Sequence, residues 1–153
     1  MSIIELEEKA GSSSDAKLMG VFTQFAELLT QLRLKELPDN MIDAINLEIT
    51  EINAASLTGK EFRKLIKKKQ AKIITKLEKE LKIVPKEHYR KMWLALGISI
   101  FGIPIGAAFA SSHQGNPAFY AIGIPFGLLI GLAIGTSLDK KASNEGRQLD
   151  III

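Results

Sequence analysis

Apolar residues recur at helical spacing through the first half of the chain and merge into two unbroken runs in its last third. Leu18, Phe22, Phe25, Leu29 and Leu32 follow one another at steps of four, three, four and three, one face of an amphipathic helix. Ser14 or Asp15 is suited to cap its start, and the helix is expected to end near Leu37. Pro38, Asp39 and Asn40 break the pattern, and Ile42, Ile45, Ile49 and Ile52 begin a second helix at once. So short a gap predicts that these two helices lie antiparallel. Thr58 and Glu61 match a capping box opening a third helix. Its stripe is Phe62, Ile66, Ile73, Leu77, Leu81 and Val84, interrupted by a polar turn at Lys69 and Gln70. Pro85 is expected to end or kink that helix and to suit the first position of the next, through His88, Tyr89, Arg90, Lys91 and Met92.

The two runs occupy residues 93–112 and 117–138 and contain no Asp, Glu, Lys or Arg. Only His113, Gln114, Gly115 and Asn116 separate them, with Asn116 as cap and Pro117 as first helical residue of the second. At about 1.5 Å per residue each is about 30 Å long, the thickness of a bilayer's hydrocarbon core. The expected fold is therefore an all-α integral membrane protein, cytoplasmic antiparallel helices followed by a two-helix transmembrane hairpin. Residues 1–14 read as a flexible leader, with Gly11, Ser12, Ser13 and Ser14 as spacer. Residues 15–84 read as a cytoplasmic helical domain, 85–139 as the hairpin and 140–153 as a cytoplasmic tail. The apolar end of that tail, Leu149, Ile151, Ile152 and Ile153, is expected either to dock or to fray. The first ten residues lack the basic start and apolar core of a cleavable signal, so the first span is expected to direct insertion itself.

Charge sharpens this picture. Residues 1–59 carry a net −6 and residues 60–92 a net +9, while the tail from Asp139 is neutral. Lys82, Lys86, Arg90, Lys91, Lys140 and Lys141 flank the spans, and the loop between the spans has no Lys or Arg. Positive residues stay on the cytoplasmic side, which predicts the plasma (bacterial inner) membrane, both termini cytoplasmic and a short external loop near His113. The same six basic residues are candidate contacts for anionic lipid. Further back, Arg63, Lys64, Lys67, Lys68, Lys69, Lys72, Lys76 and Lys79 either continue that contact or match the acidic first helices within the molecule. Nucleic acid is disfavoured, because no aromatic residues alternate with the lysines.

Gly123, Gly127, Gly131 and Gly135 recur every four residues in the second run, and Gly102, Gly106 and Ala110 do so in the first. Small residues at this spacing let helix backbones approach closely, either within one hairpin or between copies. Pro104 and Pro125 lie in matching Gly-Ile-Pro contexts and are candidate helix kinks. With these glycines the final third resembles the glycine-zipper hairpin proteins, small bacterial membrane proteins mostly without an assigned activity. The resemblance implies membrane association and oligomerisation. This chain departs from it in lacking a lipid-attachment cysteine and in carrying a helical domain.

Chemistry is excluded more than indicated. There is no cysteine, hence no thiolate catalysis or cysteine-ligated metal. His88 and His113 lie at opposite ends of a span, too far apart to share a metal, and Glu78, Glu80 and Glu87 read as exposed helix charges paired with neighbouring lysines. Thr58-Gly59-Lys60 lacks the glycine and strand of a phosphate-binding loop. No catalytic, metal or cofactor residue is nominated, and no cofactor is expected. The expectation is a non-enzymatic membrane-anchored scaffold, adaptor or accessory subunit, with the lipid bilayer and either a second copy or a membrane-complex protein as partners. The alternative is a homo-oligomeric pore assembled through the glycine faces.

Overall fold

The computed structural model of the protein describes residues 2–7 and 15–153. The molecule is mostly helical and divides into two units. One comprises the chain up to Val84 together with Leu149–Ile151 and Ile153; the other comprises Pro85–Gln148 and Ile152.

In the first unit α1 (Ala16–Arg33), α2 (Asp39–Ala54) and α3 (Gly59–Leu81) bury the stripes their spacing predicts. Phe25, Leu28, Ile49, Ile52, Phe62 and Ile66 are among the side chains closed off completely. Asp15 caps α1, its Oδ1 accepting the N–H groups of Lys17 and Leu18 at 3.0 and 3.1 Å. Within this unit α3 packs against both α1 and α2 and is the helix the other two share. Thr58 precedes α3, but its hydroxyl caps no amide, and Glu61 instead pairs with Lys64 at 3.0 Å. Gly59, at φ 52°, turns the chain between the two halves of the expected capping box.

Three further expectations are corrected. Part of the leader is ordered against α2: Ile3 is buried, and Ile4 and Glu7 donate their N–H groups to Asn46 and Asn53. The Gly11 to Ser14 spacer lies outside the described residues. Helix α3 ends at Leu81, before Pro85 is reached, because Lys82 turns left-handed (φ 57°) and closes the last turn onto the Glu78 carbonyl. Pro85 then lies in a short strand, β1 (Val84–Lys86), which pairs with β2 (Gln148–Ile152). The tail thus adds a two-stranded sheet to an otherwise helical chain. Leu149 and Ile151 join the core of the first unit, their alternation along β2 turning both inward.

In the second unit α4 (His88–Gly97), a π-turn (Ile98–Gly102) and α5 (Ile103–Ser112) form one helical run of 25 residues. It begins five residues before the expected span. A 3-10 turn (Pro117–Phe119) leads into α6 (Tyr120–Asn144), which continues past Leu138 to give a run of 28 residues. Between the runs the chain reverses through Gln114 and Gly115, both at positive φ, and the Asn116 side chain caps the second run at the Ala118 N–H.

Candidate functional site, a glycine-lined helix pair

The two long runs pack through their backbones. Gly123, Gly127, Gly131 and Gly135 form the buried face of α6, and opposite them lie Gly97, Gly102 and Gly106. A β-carbon added to Gly123 would overlap the Gly102 carbonyl, and one added to Gly131 would overlap the carbonyl of Trp93. At Gly127 it would stand 2.7 Å from the Gly97 oxygen, at Gly106 2.5 Å from the Tyr120 oxygen, and at Gly135 2.6 Å from the Arg90 Cα. Partners descend along one run as they ascend along the other, so the helices are antiparallel. The structure brings all six of the nominated glycines into this one contact.

Gly97 joins them, although its five-residue spacing from Gly102 escapes a search for glycine at every fourth position. The π-turn supplies the reason. The N–H of Ile103 bonds to Ile98 O, five residues back, and this wider turn keeps Gly97 and Gly102 on the same face. Pro104 follows directly, inside the continuous run, where the π-turn locally alters the hydrogen-bond ladder that a residue without an N–H interrupts. Pro125 lies inside α6, which runs as one helix from Tyr120 to Asn144.

With glycine inside, the large apolar side chains are outside. Ile103 is 57% exposed and Leu129 64%, and Ile100, Phe109, Ile124 and Phe126 are exposed with them. In the most apolar stretch of each run only 17% and 22% of residues are buried.

The two ends differ in charge. Lys86, Arg90, Lys91, Lys140 and Lys141 gather at the end where α4 begins and α6 closes, whereas the turn at the other end carries no ionisable side chain except His113, stacked on Phe119 at 4.1 Å. Lys82 belongs to the first unit, exposed in the turn after α3. At the charged end Asp139 of α6 accepts the N–H groups of Tyr89 and Arg90 at 3.0 and 2.9 Å and so caps α4 from another helix. Sequence reasoning missed this cap because the residues are 50 and 49 positions apart. Arg90 also pairs with Glu87 at 3.1 Å.

No known protein family, curated protein or solved structure matches the chain. Its function must be read from its own geometry.

A second cluster lies in the first unit, at the polar turn of α3. Lys69 is buried there and pairs with Glu48 at 2.9 Å and also with Glu51, while Lys72 reaches the other oxygen of Glu48. Burial by itself raises the Glu48 carboxyl, but hydrogen bonds from Lys72 and Lys69 outweigh it and hold the group below its ordinary range. Burial likewise lowers Lys69, and its bonds to Glu51 and Glu48 reverse that and raise it. Lys69 and Lys72 of the basic stretch are thus matched to acidic residues of α2. Among the described residues no group of three or more His, Asp or Glu is placed to hold a metal.

Proposed function

We propose that the protein is a membrane-anchored helical scaffold or accessory subunit, in which the helix pair spans a bilayer and the three-helix unit presents its surface to a protein partner. The observation that carries this reading is the inverted packing of the pair. A helix pair in water buries its large side chains and exposes small or polar ones; this one buries glycine and exposes leucine, isoleucine and phenylalanine, as helices in lipid do. Both runs are long and apolar enough to cross a membrane. The basic residues at one end and the uncharged turn at the other support an orientation with the turn external, both termini cytoplasmic, and Lys86, Arg90, Lys91, Lys140 and Lys141 at the anionic leaflet of the plasma membrane.

A homo-oligomeric pore built on the glycine faces needs those faces free. Here each already meets its neighbour's backbone, which favours the anchored unit.

The absence of cysteine makes the test direct. In the full chain, Gln114→Cys should react with a membrane-impermeant maleimide on intact cells, and Ser56→Cys only after permeabilisation. Recovery of the protein in the alkali-soluble fraction would overturn the membrane reading. Purification from solubilised membranes with no partner at comparable stoichiometry would remove the scaffold role.

A further inference from the structure

Residues 2–7 are held on α2 by contacts that read the backbone of the segment. Asn46 accepts the N–H of Ile4 at 2.9 Å and donates to the carbonyl of Ser2 at 3.0 Å, so one side-chain amide brackets Ile3. Asn53 repeats the arrangement around Leu6, accepting from Glu7 at 3.1 Å and donating to Glu5 at 3.0 Å. Seven helical residues advance about 10.5 Å and three extended residues about 10 Å, so the two amides stay in register with the segment. A three-residue repeat is that of a polyproline-II chain, whose backbone groups make no internal hydrogen bonds and are open to a partner. Arg33 of α1 adds a third support, its Nη2 donating to the Ile4 carbonyl at 2.9 Å.

The hydrogen bonds use only the segment's backbone, while Ile3 and Leu6 pack with the core of the first unit. Ile3 is buried and Leu6 partly so, while Ile4, Glu5 and Glu7 are exposed. Beside the segment an open cleft of about 340 Å³ is lined by Ser2 and Ile3 together with Leu32, Leu37 and Ile42, and Arg33 and Lys35 stand at it.

We propose that this face of α1 and α2 is a binding site for an extended segment of a partner protein, with residues 2–7 as its built-in competitor. The backbone clamps accept any extended chain. The cleft beside Ile3 favours an apolar residue larger than isoleucine at that position, and a second apolar residue three places on takes the Leu6 position. The proposal deepens the scaffold reading by naming what the partner presents, and it rests on that reading only for the partner's existence.

The test uses fluorescent peptides, residues 2–7 and the same peptide carrying Ile3→Phe, titrated into the micelle-solubilised full chain and into the chain lacking residues 2–7. The Ile3→Phe peptide should bind the shortened chain at least about tenfold more tightly than the intact one, since the competitor must first be displaced. Asn46→Ala with Asn53→Ala in the shortened chain should abolish that binding with the circular dichroism unchanged. In the intact chain, excess peptide should accelerate hydrogen exchange at the Ile4 and Glu7 amides; unchanged exchange at saturating peptide overturns the proposal even if the shortened chain fails to fold. Absence of binding to a folded shortened chain also overturns it, as does a dimer in which two copies exchange these segments. Peptide binding without any co-purifying partner would keep the site and remove the scaffold, and a partner cross-linking away from α1 and α2 would do the reverse.

Discussion

A single methyl group separates glycines that this fold requires from one it does not. At Gly123 a β-carbon meets the Gly102 backbone, which cannot move aside as a side-chain tip would, so the helices must separate. Gly123→Ala should therefore destabilise the helix pair by about 1–3 kcal/mol, the usual penalty of overpacking, in denaturation from micelles. Gly20, within α1, has nothing within 4 Å of its would-be β-carbon. Gly20→Ala should stabilise the first unit by about 0.5–1 kcal/mol, since alanine loses less backbone freedom in a helix. The Lys69 cluster makes a different residue-scale prediction. Lys69→Ala strips a buried carboxylate of one partner and should cost about 3 kcal/mol at neutral pH. Because the folded-state Glu48 lies below its ordinary value of 4.5, its contribution is present above that pH and lost as pH falls through the depressed value. The gap between wild type and variant should close in acid on that side of 4.5, whereas the Lys69 contribution persists until pH rises beyond its ordinary 10.5. Equal destabilisation at pH 7 and pH 3 would contradict this assignment.

At the scale of elements, helix interiors were legible and helix ends were not. The apolar stripes of α1, α2 and α3 follow from spacing alone, because burial of one face needs only the 3.6-residue period. Ends depend on single backbone angles and distant partners. Lys82 stops α3 by turning left-handed, a conformation no sequence rule assigns to lysine, and Asp139 starts α4 from a helix 50 residues away. Asp139→Ala should cost about 0.5–2 kcal/mol and speed hydrogen exchange at the Tyr89 and Arg90 amides, with exchange in α1 unchanged. The π-turn belongs to the same class. It lets a glycine spacing of five serve one face, so Gly97 became recognisable only once the helix geometry was known.

At the scale of the molecule, both ends of the described chain take part in the fold of the first unit. Leu149 is 1% exposed in its core, and Leu149→Ala should destabilise that unit by about 2–5 kcal/mol in chemical denaturation. Ile152, 52% exposed on the other side of the same strand, should tolerate alanine with little change, and a similar loss for both would deny the inward register of β2. The apolar character of Leu149, Ile151, Ile152 and Ile153 was legible, but it does not say which of them face inward or what they pack against. The N-terminal segment was harder still. Its short apolar stretch looked like a leader because its order comes from Asn46 and Asn53, side chains indistinguishable in sequence from any exposed asparagine.

Sequence by itself determined that the chain is helical, that its last third carries two runs apolar and long enough to cross a membrane, and that small residues line one face of each. Those properties are local or periodic, so they survive without knowledge of neighbours. Only the tertiary structure decided that the glycines are spent on each other, that Glu48 and Lys69 share a buried site, and that both terminal segments are seated. Each of these depends on which backbone or polar group stands within a few ångströms across a long sequence separation, and spacing along one chain does not record that distance.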